Sequence, residues 1–144
     1  MASKPDIQLA GDLRTVVARL IKKLRKESVT GQQLSLTERS SMSLLLQHKE
    51  LLPSELAAME KITNQSMSQV LNNLLGLGYI SRKASETDKR KVIISLTGLG
   101  EHTILQVRAE RDEWLSKAIS LTCSEEEVLA LKQAIGPLTK LVDF

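Results

Sequence analysis

Apolar residues near the start of the chain recur with the period of a helix. From about Ile7 to Ser28, Leu13, Val16, Val17, Leu20, Ile21 and Leu24 follow a 3-1-3-1-3 spacing that lines one helical face. Arg19, Lys22, Lys23, Arg25 and Lys26 crowd its end, where cations complement the helix dipole. Gly31 then punctuates a polar loop. A second helix opens at Leu36-Thr37, capped by Thr37 or by Ser35 with Glu38 three residues on, and ends near His48. Pro53 starts a short third helix through Leu56 and Met59, because proline suits a first turn. Thr63 or Asn64 caps a fourth, which ends at Gly76-Leu77-Gly78.

The period then shortens to two. Ile80 to Ala84 and Lys91 to Leu96 read as strands, joined by the polar turn Ser85-Glu86-Thr87-Asp88-Lys89-Arg90. Val92, Ile94 and Leu96 alternate, so one face of the hairpin is expected to be buried. Thr97 caps a long fifth helix to about Leu121, and Ser124-Glu125-Glu126-Glu127 is a capping box that opens a sixth. Val128, Leu131, Ile135, Leu138 and Val142 stripe that helix at 3-4-3-4 spacing, and Gly136-Pro137 is expected to kink or interrupt it. The fold class is therefore mainly α. Both terminal segments carry apolar stripes with no partner in the central block, so a homodimer is the natural expectation.

Composition narrows the function. The 144 residues suffice for one domain or compact unit, with aliphatic side chains dominant and only Tyr79, Trp114 and Phe144 aromatic. A net charge of +3 and a pI of about 9.1 tip the balance toward an anionic partner. Met1 to Asp12 has no apolar signal-like core, and no apolar run approaches the roughly 20 residues that cross a bilayer. A single cysteine, Cys123, cannot form an intramolecular disulfide, which fits a reducing cytoplasm, and it reads as an incidental thiol rather than a redox sensor. His48 and His102 lack ligand-like spacing, and there is no glycine-rich phosphate loop or nucleophile-and-base arrangement. No metal, no cofactor and no enzymatic activity are expected.

The fourth helix carries the chemistry. Met67, Val70, Leu71 and Leu74 would hold it to the second and third helices, while Gln65, Ser68, Gln69 and Asn72 occupy i, i+3, i+4 and i+7 on the opposite face. Asn64 lies at its start, and nothing from Thr63 to Gly78 is charged. A solvated face usually carries Lys and Glu. Asn, Gln and Ser instead suit base edges, since Asn and Gln can pair bidentately with adenine; the plain alternative is a polar surface helix. The hairpin supplies the missing charge, with Arg82, Lys83, Lys89, Arg90 and Lys91 against Glu86 and Asp88. Such a loop can neutralise phosphates, and an arginine at its tip can enter a narrow minor groove. Asp88 can accept a hydrogen bond from the Arg90 guanidinium and fix its aim. Otherwise the cations form a solvated edge that discourages strand pairing.

The run Leu56-Ala57-Ala58-Met59-Glu60-Lys61-Ile62-Thr63-Asn64-Gln65-Ser66-Met67-Ser68-Gln69-Val70 resembles the helix–turn–helix of the MarR family of bacterial transcription regulators. So do Leu74 to Gly78-Tyr79-Ile80-Ser81-Arg82, Asp88-Lys89-Arg90-Lys91, Leu96-Thr97-Gly98-Leu99-Gly100 and the opening Leu36-Thr37. The motifs span about Leu36 to Gly100, and the helix order extends the likeness along the chain.

The resemblance implies a winged helix–turn–helix lobe over residues 34–97. It also implies long dimerisation helices over 1–33 and 98–144, in an obligate, roughly triangular homodimer. The fourth helix would enter the major groove and the wing arginine the minor groove. Carried over, Ser66, Ser68, Gln69 and their neighbours Asn64, Gln65 and Asn72 face bases, Asp88 and Arg90 form the wing tip, and Arg82, Lys83 and Lys89 complete the DNA-binding set. Two recognition helices roughly 34 Å apart call for a pseudo-palindromic operator.

The expected function is a sequence-specific regulator of double-stranded DNA, acting as a ligand-responsive repressor. The other reading is a winged-helix module that binds an acidic protein partner. Unlike many recognition helices of the family, this one has no arginine, which shifts the expectation toward adenine contacts, the wing and DNA shape. The family often binds small aromatic anions between the dimerisation helices and the DNA-binding lobe, yet few aromatics are available here to stack on one. Arg111 interrupts the apolar series Ile104, Val107, Trp114, Ala118 and Leu121. It can bind an anionic effector or form a salt bridge between helices or subunits.

Overall fold

A computed structural model describes residues 3–144. Along them run α1 (Lys4–Glu27), α2 (Leu36–His48), β1 (Glu50–Leu51), α3 (Pro53–Glu60), α4 (Asn64–Gly76), β2 (Ile80–Ala84), β3 (Val92–Leu96), α5 (Gly98–Thr122) and α6 (Glu125–Asp143). Helix starts are set by side chains that satisfy otherwise orphaned backbone N–H groups. Ser35, rather than Thr37, caps α2: its hydroxyl accepts the Glu38 N–H at 3.1 Å, and the Glu38 carboxylate accepts the Ser35 N–H at 2.7 Å. Thr63 caps α4 by accepting the Ser66 N–H at 3.0 Å. Ser124 and Glu127 form the reciprocal pair expected for α6. Lys61, in the turn between α3 and α4, takes a left-handed conformation (φ 57°, ψ 42°) that allows the tight helix–turn–helix bend.

The core lies in the central lobe. Met42 and Leu45 of α2, Leu56 and Ala57 of α3, and Met67, Leu71 and Leu74 of α4 meet Ile94 of β3 and Ile104 and Val107 of α5, all buried. Each large member contributes about 1.5–3 kcal/mol by leaving water. Val70 packs at the margin of this cluster. The strands form an antiparallel sheet in the order β1-β3-β2, with Leu51, Ile94 and Arg82 in register across it. On the inward face of the hairpin Leu96 at the base is half-buried, Ile94 is buried and Val92 toward the tip is exposed. The hairpin therefore projects from the lobe as a wing.

The ends of the chain are different. Neither α1 nor α6 has a buried residue, although Val16, Val17, Leu20 and Ile21 stripe one and Leu131, Ile135 and Val142 the other. α1 packs along α5, whereas α6 has no substantial packing partner among the described residues. Pro137 does not interrupt α6, which runs as one helix from Glu125 to Asp143. Pro137 and Gln133 are exposed, so water can solvate the Gln133 carbonyl that a proline leaves without an N–H partner.

Candidate nucleic-acid interface

With Met67, Leu71 and Leu74 turned into the core, α4 presents Asn64, Gln65, Ser66, Ser68, Gln69 and Asn72 outward, every one exposed. The face is polar and uncharged, as its spacing indicated. Its first turn is held by Thr63, whose hydroxyl also donates to the Ser66 hydroxyl at 3.0 Å. The wing tip curls toward this end of the helix. Arg90, Lys91 and Val92 line an open cleft of about 400 Å³, with Leu52, Pro53 and Ser54 at the start of α3 and Asn64 and Ser68 of α4.

The wing tip is organised by residues with short polar side chains. Ser85, which is buried, accepts the N–H groups of Thr87 and Asp88 at 3.3 and 3.4 Å, and its own N–H reaches the Lys91 carbonyl at 2.9 Å. Asp88 then takes both the backbone N–H (3.1 Å) and the guanidinium Nε–H (3.4 Å) of Arg90 on one carboxylate oxygen. Arg90 is 93% exposed at its side chain, yet its base is tethered to a two-thirds-covered aspartate. The hydrogen bond inferred from the Asp-x-Arg spacing is present. Ser85 was missed in the sequence, although a serine opening a Ser-x-Thr-Asp run is the signature of a local turn.

The other wing cations are not equivalent. Lys83 pairs with Glu50 at 3.1 Å, an acid that β1 brings beside the hairpin and that the local count of charges overlooked. Arg82 donates from a terminal guanidinium nitrogen to the Asn72 carboxamide oxygen at 3.0 Å, joining wing and α4. Lys89, Arg90 and Lys91 remain exposed at the outer end.

Residues 34–92 match the model of the MarR family. Over 139 residues the chain is 30% identical to the uncharacterised HTH-type transcriptional regulator Mb0904 of Mycobacterium bovis, covering 96% of this chain and 95% of that one. The chain belongs to the MarR family. That family comprises winged helix–turn–helix, DNA-binding transcription regulators and not enzymes. A putative transcriptional regulator of Pseudomonas aeruginosa shares 32% identity and superposes with a TM-score of 0.81 over 99% of both chains. A MepR mutant of S. aureus, solved bound to an oligodeoxyribonucleotide, shares the fold at 20% identity and a TM-score of 0.69, over 93% of this chain and 97% of that one.

In this MarR-family chain, besides the packing of Ile104 and Val107 in the core, hydrogen bonds join the lobe to the end helices at two points. The first is the start of α5. Thr97 donates its N–H to the Tyr79 carbonyl at 3.0 Å and its hydroxyl to the Gly78 carbonyl at 2.6 Å, while accepting the Gly100 N–H at 3.0 Å. One threonine thus caps α5 and clasps the exit from α4. The second is the loop from Ser28 to Leu34. Glu110 of α5 accepts from Ser28 Oγ (3.3 Å), Thr30 N (3.1 Å) and Thr30 Oγ1 (2.7 Å), and these hydrogen bonds, led by that of the Thr30 hydroxyl, hold its carboxyl below the usual range.

From the other side Arg39 of α2, 4% exposed, bonds the Gly31 carbonyl through Nε at 3.1 Å and through Nη2. Burial, then the neighbouring Arg111, then Arg25, lower its pKa. Arg111 is half-buried and has no carboxylate partner within the chain among the described residues, so of the salt bridges expected for it, between helices or between subunits, the one within the chain is not formed. No group of His, Cys, Asp and Glu able to hold a metal occurs among the described residues, nor any helix long and apolar enough to cross a membrane.

Proposed function

We propose that the chain is a homodimeric, ligand-responsive repressor that binds a pseudo-palindromic operator, with residues 34–97 as the DNA-binding lobe and 1–33 with 98–144 as the dimerisation helices. The observation that carries this reading is the pairing of an uncharged, exposed polar face on α4 with an exposed arginine aimed by Asp88 beside it. A major groove accepts such a helix, and Asn64, Gln65, Ser66, Ser68 and Gln69 offer it hydrogen-bonding groups without competing salt bridges. Arg90 and Lys89 supply the phosphate and minor-groove attraction that α4 lacks. The oligodeoxyribonucleotide bound by the MepR mutant, which shares this fold, supports DNA as the partner. The unburied stripes of α1 and α6 support a two-fold dimer, whose recognition helices would lie roughly 34 Å apart. A reducing cytoplasm is the compartment that suits such a protein with one thiol.

Gel-shift titrations of Gln69→Ala and Arg90→Ala test the reading. Gln69→Ala is expected to weaken binding to a selected duplex by about tenfold while sparing random duplex, since a good base contact is worth about 1–3 kcal/mol. Arg90→Ala should weaken both and reduce the slope of log affinity against log salt by about 0.9 per subunit. Undiminished binding by both variants removes the proposal.

The effector is an anion held by Arg111. Support comes from Arg111 having no acid partner within the chain among the described residues. Salicylate added to the complex is expected to release duplex from the unmodified chain and not from Arg111→Ala. Equal sensitivity in both takes Arg111 out of that role.

A further inference from the structure

Arg82 and Lys83 are adjacent in sequence and serve opposite faces of the sheet. Arg82 stands in register with Ile94, a fully buried residue, so its side chain leaves β2 on the face that packs against the helices. Strand β2 is an edge strand, and a long side chain there can reach past the sheet to α4. It does so at Asn72, with 3.0 Å between Nη2 and Oδ1. Lys83 leaves by the other face and meets Glu50.

The contact fixes more than distance. A guanidinium only donates hydrogen bonds, so it holds the Asn72 amide by its oxygen and leaves the NH₂ group as the free end. Bidentate recognition of adenine by asparagine needs both ends of one amide, the oxygen for N6–H and the NH₂ for N7. One lone pair of the oxygen remains, but the bond to Arg82 fixes the orientation of the amide, and the NH₂ is the end with no partner among the described residues. We infer that Arg82 is a positioning residue rather than a phosphate contact, and that by fixing the amide's orientation it turns Asn72 toward acceptor atoms on the base edges and away from the two-ended adenine pairing. The acceptors available in a major groove are N7 of purines, O6 of guanine and O4 of thymine. This offers a route to guanine for a recognition helix that carries no arginine.

The inference rests on the DNA-binding reading above, and the two fail differently. The bond is exposed and closes a loop of ten residues, so its loss contributes little to folding and Arg82→Ala is expected to remain folded.

The test compares the unmodified chain, Arg82→Ala, Asn72→Ala and the double variant by selection from a random duplex pool and by salt titration. Arg82→Ala should keep the salt slope of the unmodified chain and shift the selected half-site toward adenine at one position. Asn72→Ala should lose preference at that same position, and adding Arg82→Ala to it should change nothing further. A slope reduced by about 0.9 per subunit in Arg82→Ala marks a phosphate contact and overturns the inference. So does an unchanged base preference in that variant. If the unmodified chain shows no salt-dependent duplex binding, the DNA-binding reading itself fails and takes the inference with it.

Discussion

Gly100→Ala is expected to destabilise the fold by about 3 kcal/mol or more, since a Cβ there would meet the most severe backbone clash at any glycine of the chain. A Cβ built on Gly100 would lie 2.8 Å from the Tyr79 carbonyl carbon and 3.0 Å from the Tyr79 Cα, and closer still to the Tyr79 oxygen. All three neighbours are backbone, which cannot swing aside as a side chain can. The same carbonyl accepts the Thr97 N–H, and Thr97 caps the helix in which Gly100 sits, so the clash falls on the clasp between α4's exit and α5. Gly98, two residues earlier, is the matched control, because a Cβ there meets nothing within 4 Å. Urea midpoints of the two variants measure the contrast: a large fall for Gly100→Ala, and little change for Gly98→Ala. Equal midpoints would mean that the two backbones do not approach this closely.

Ile135→Glu is expected to separate the dimer and lower operator affinity by about 100-fold or more, leaving each chain folded. The residue is 63% exposed on α6, in a helix with no buried side chain and no substantial packing partner among the described residues. A carboxylate there costs the isolated chain almost nothing. In a two-fold interface the substitution appears twice, and burying an unpaired charge costs several kcal/mol each time. Losing the second half-site contact removes the avidity gain, typically 10²–10⁴-fold. Sedimentation gives the assembly state, far-ultraviolet circular dichroism the helix content, and duplex titration the affinity. A variant that stays dimeric and binds normally would place the interface elsewhere.

The readable parts of the chain were those set by local rules. The face of α4 followed from its spacing, because Met67, Leu71 and Leu74 had one direction in which to bury and the polar residues took the other. The wing tip followed from Asp88 and Arg90, two residues apart, whose bond needs no distant partner. Contacts between distant segments were hidden. β1 is two residues long and exists because β3 pairs with it, so no alternation marks it in advance. The choice of Asn72 by Arg82 and of Glu50 by Lys83 depends on which edge of the sheet each strand occupies. In α2 the apolar pattern misleads outright, since Leu36 is half exposed while Arg39 and Ser41 are buried. Arg39 is inside because the loop carbonyl at Gly31 needs its donors, a demand made by a turn eight residues away.

Sequence selectivity on duplex DNA is the central claim, and selecting bound duplexes from a random pool tests it most directly. The expected result is a pseudo-palindrome whose half-site centres lie about one helical turn apart, roughly 34 Å. A pool that shows no enriched sequence after repeated rounds, while the chain remains folded, would contradict it.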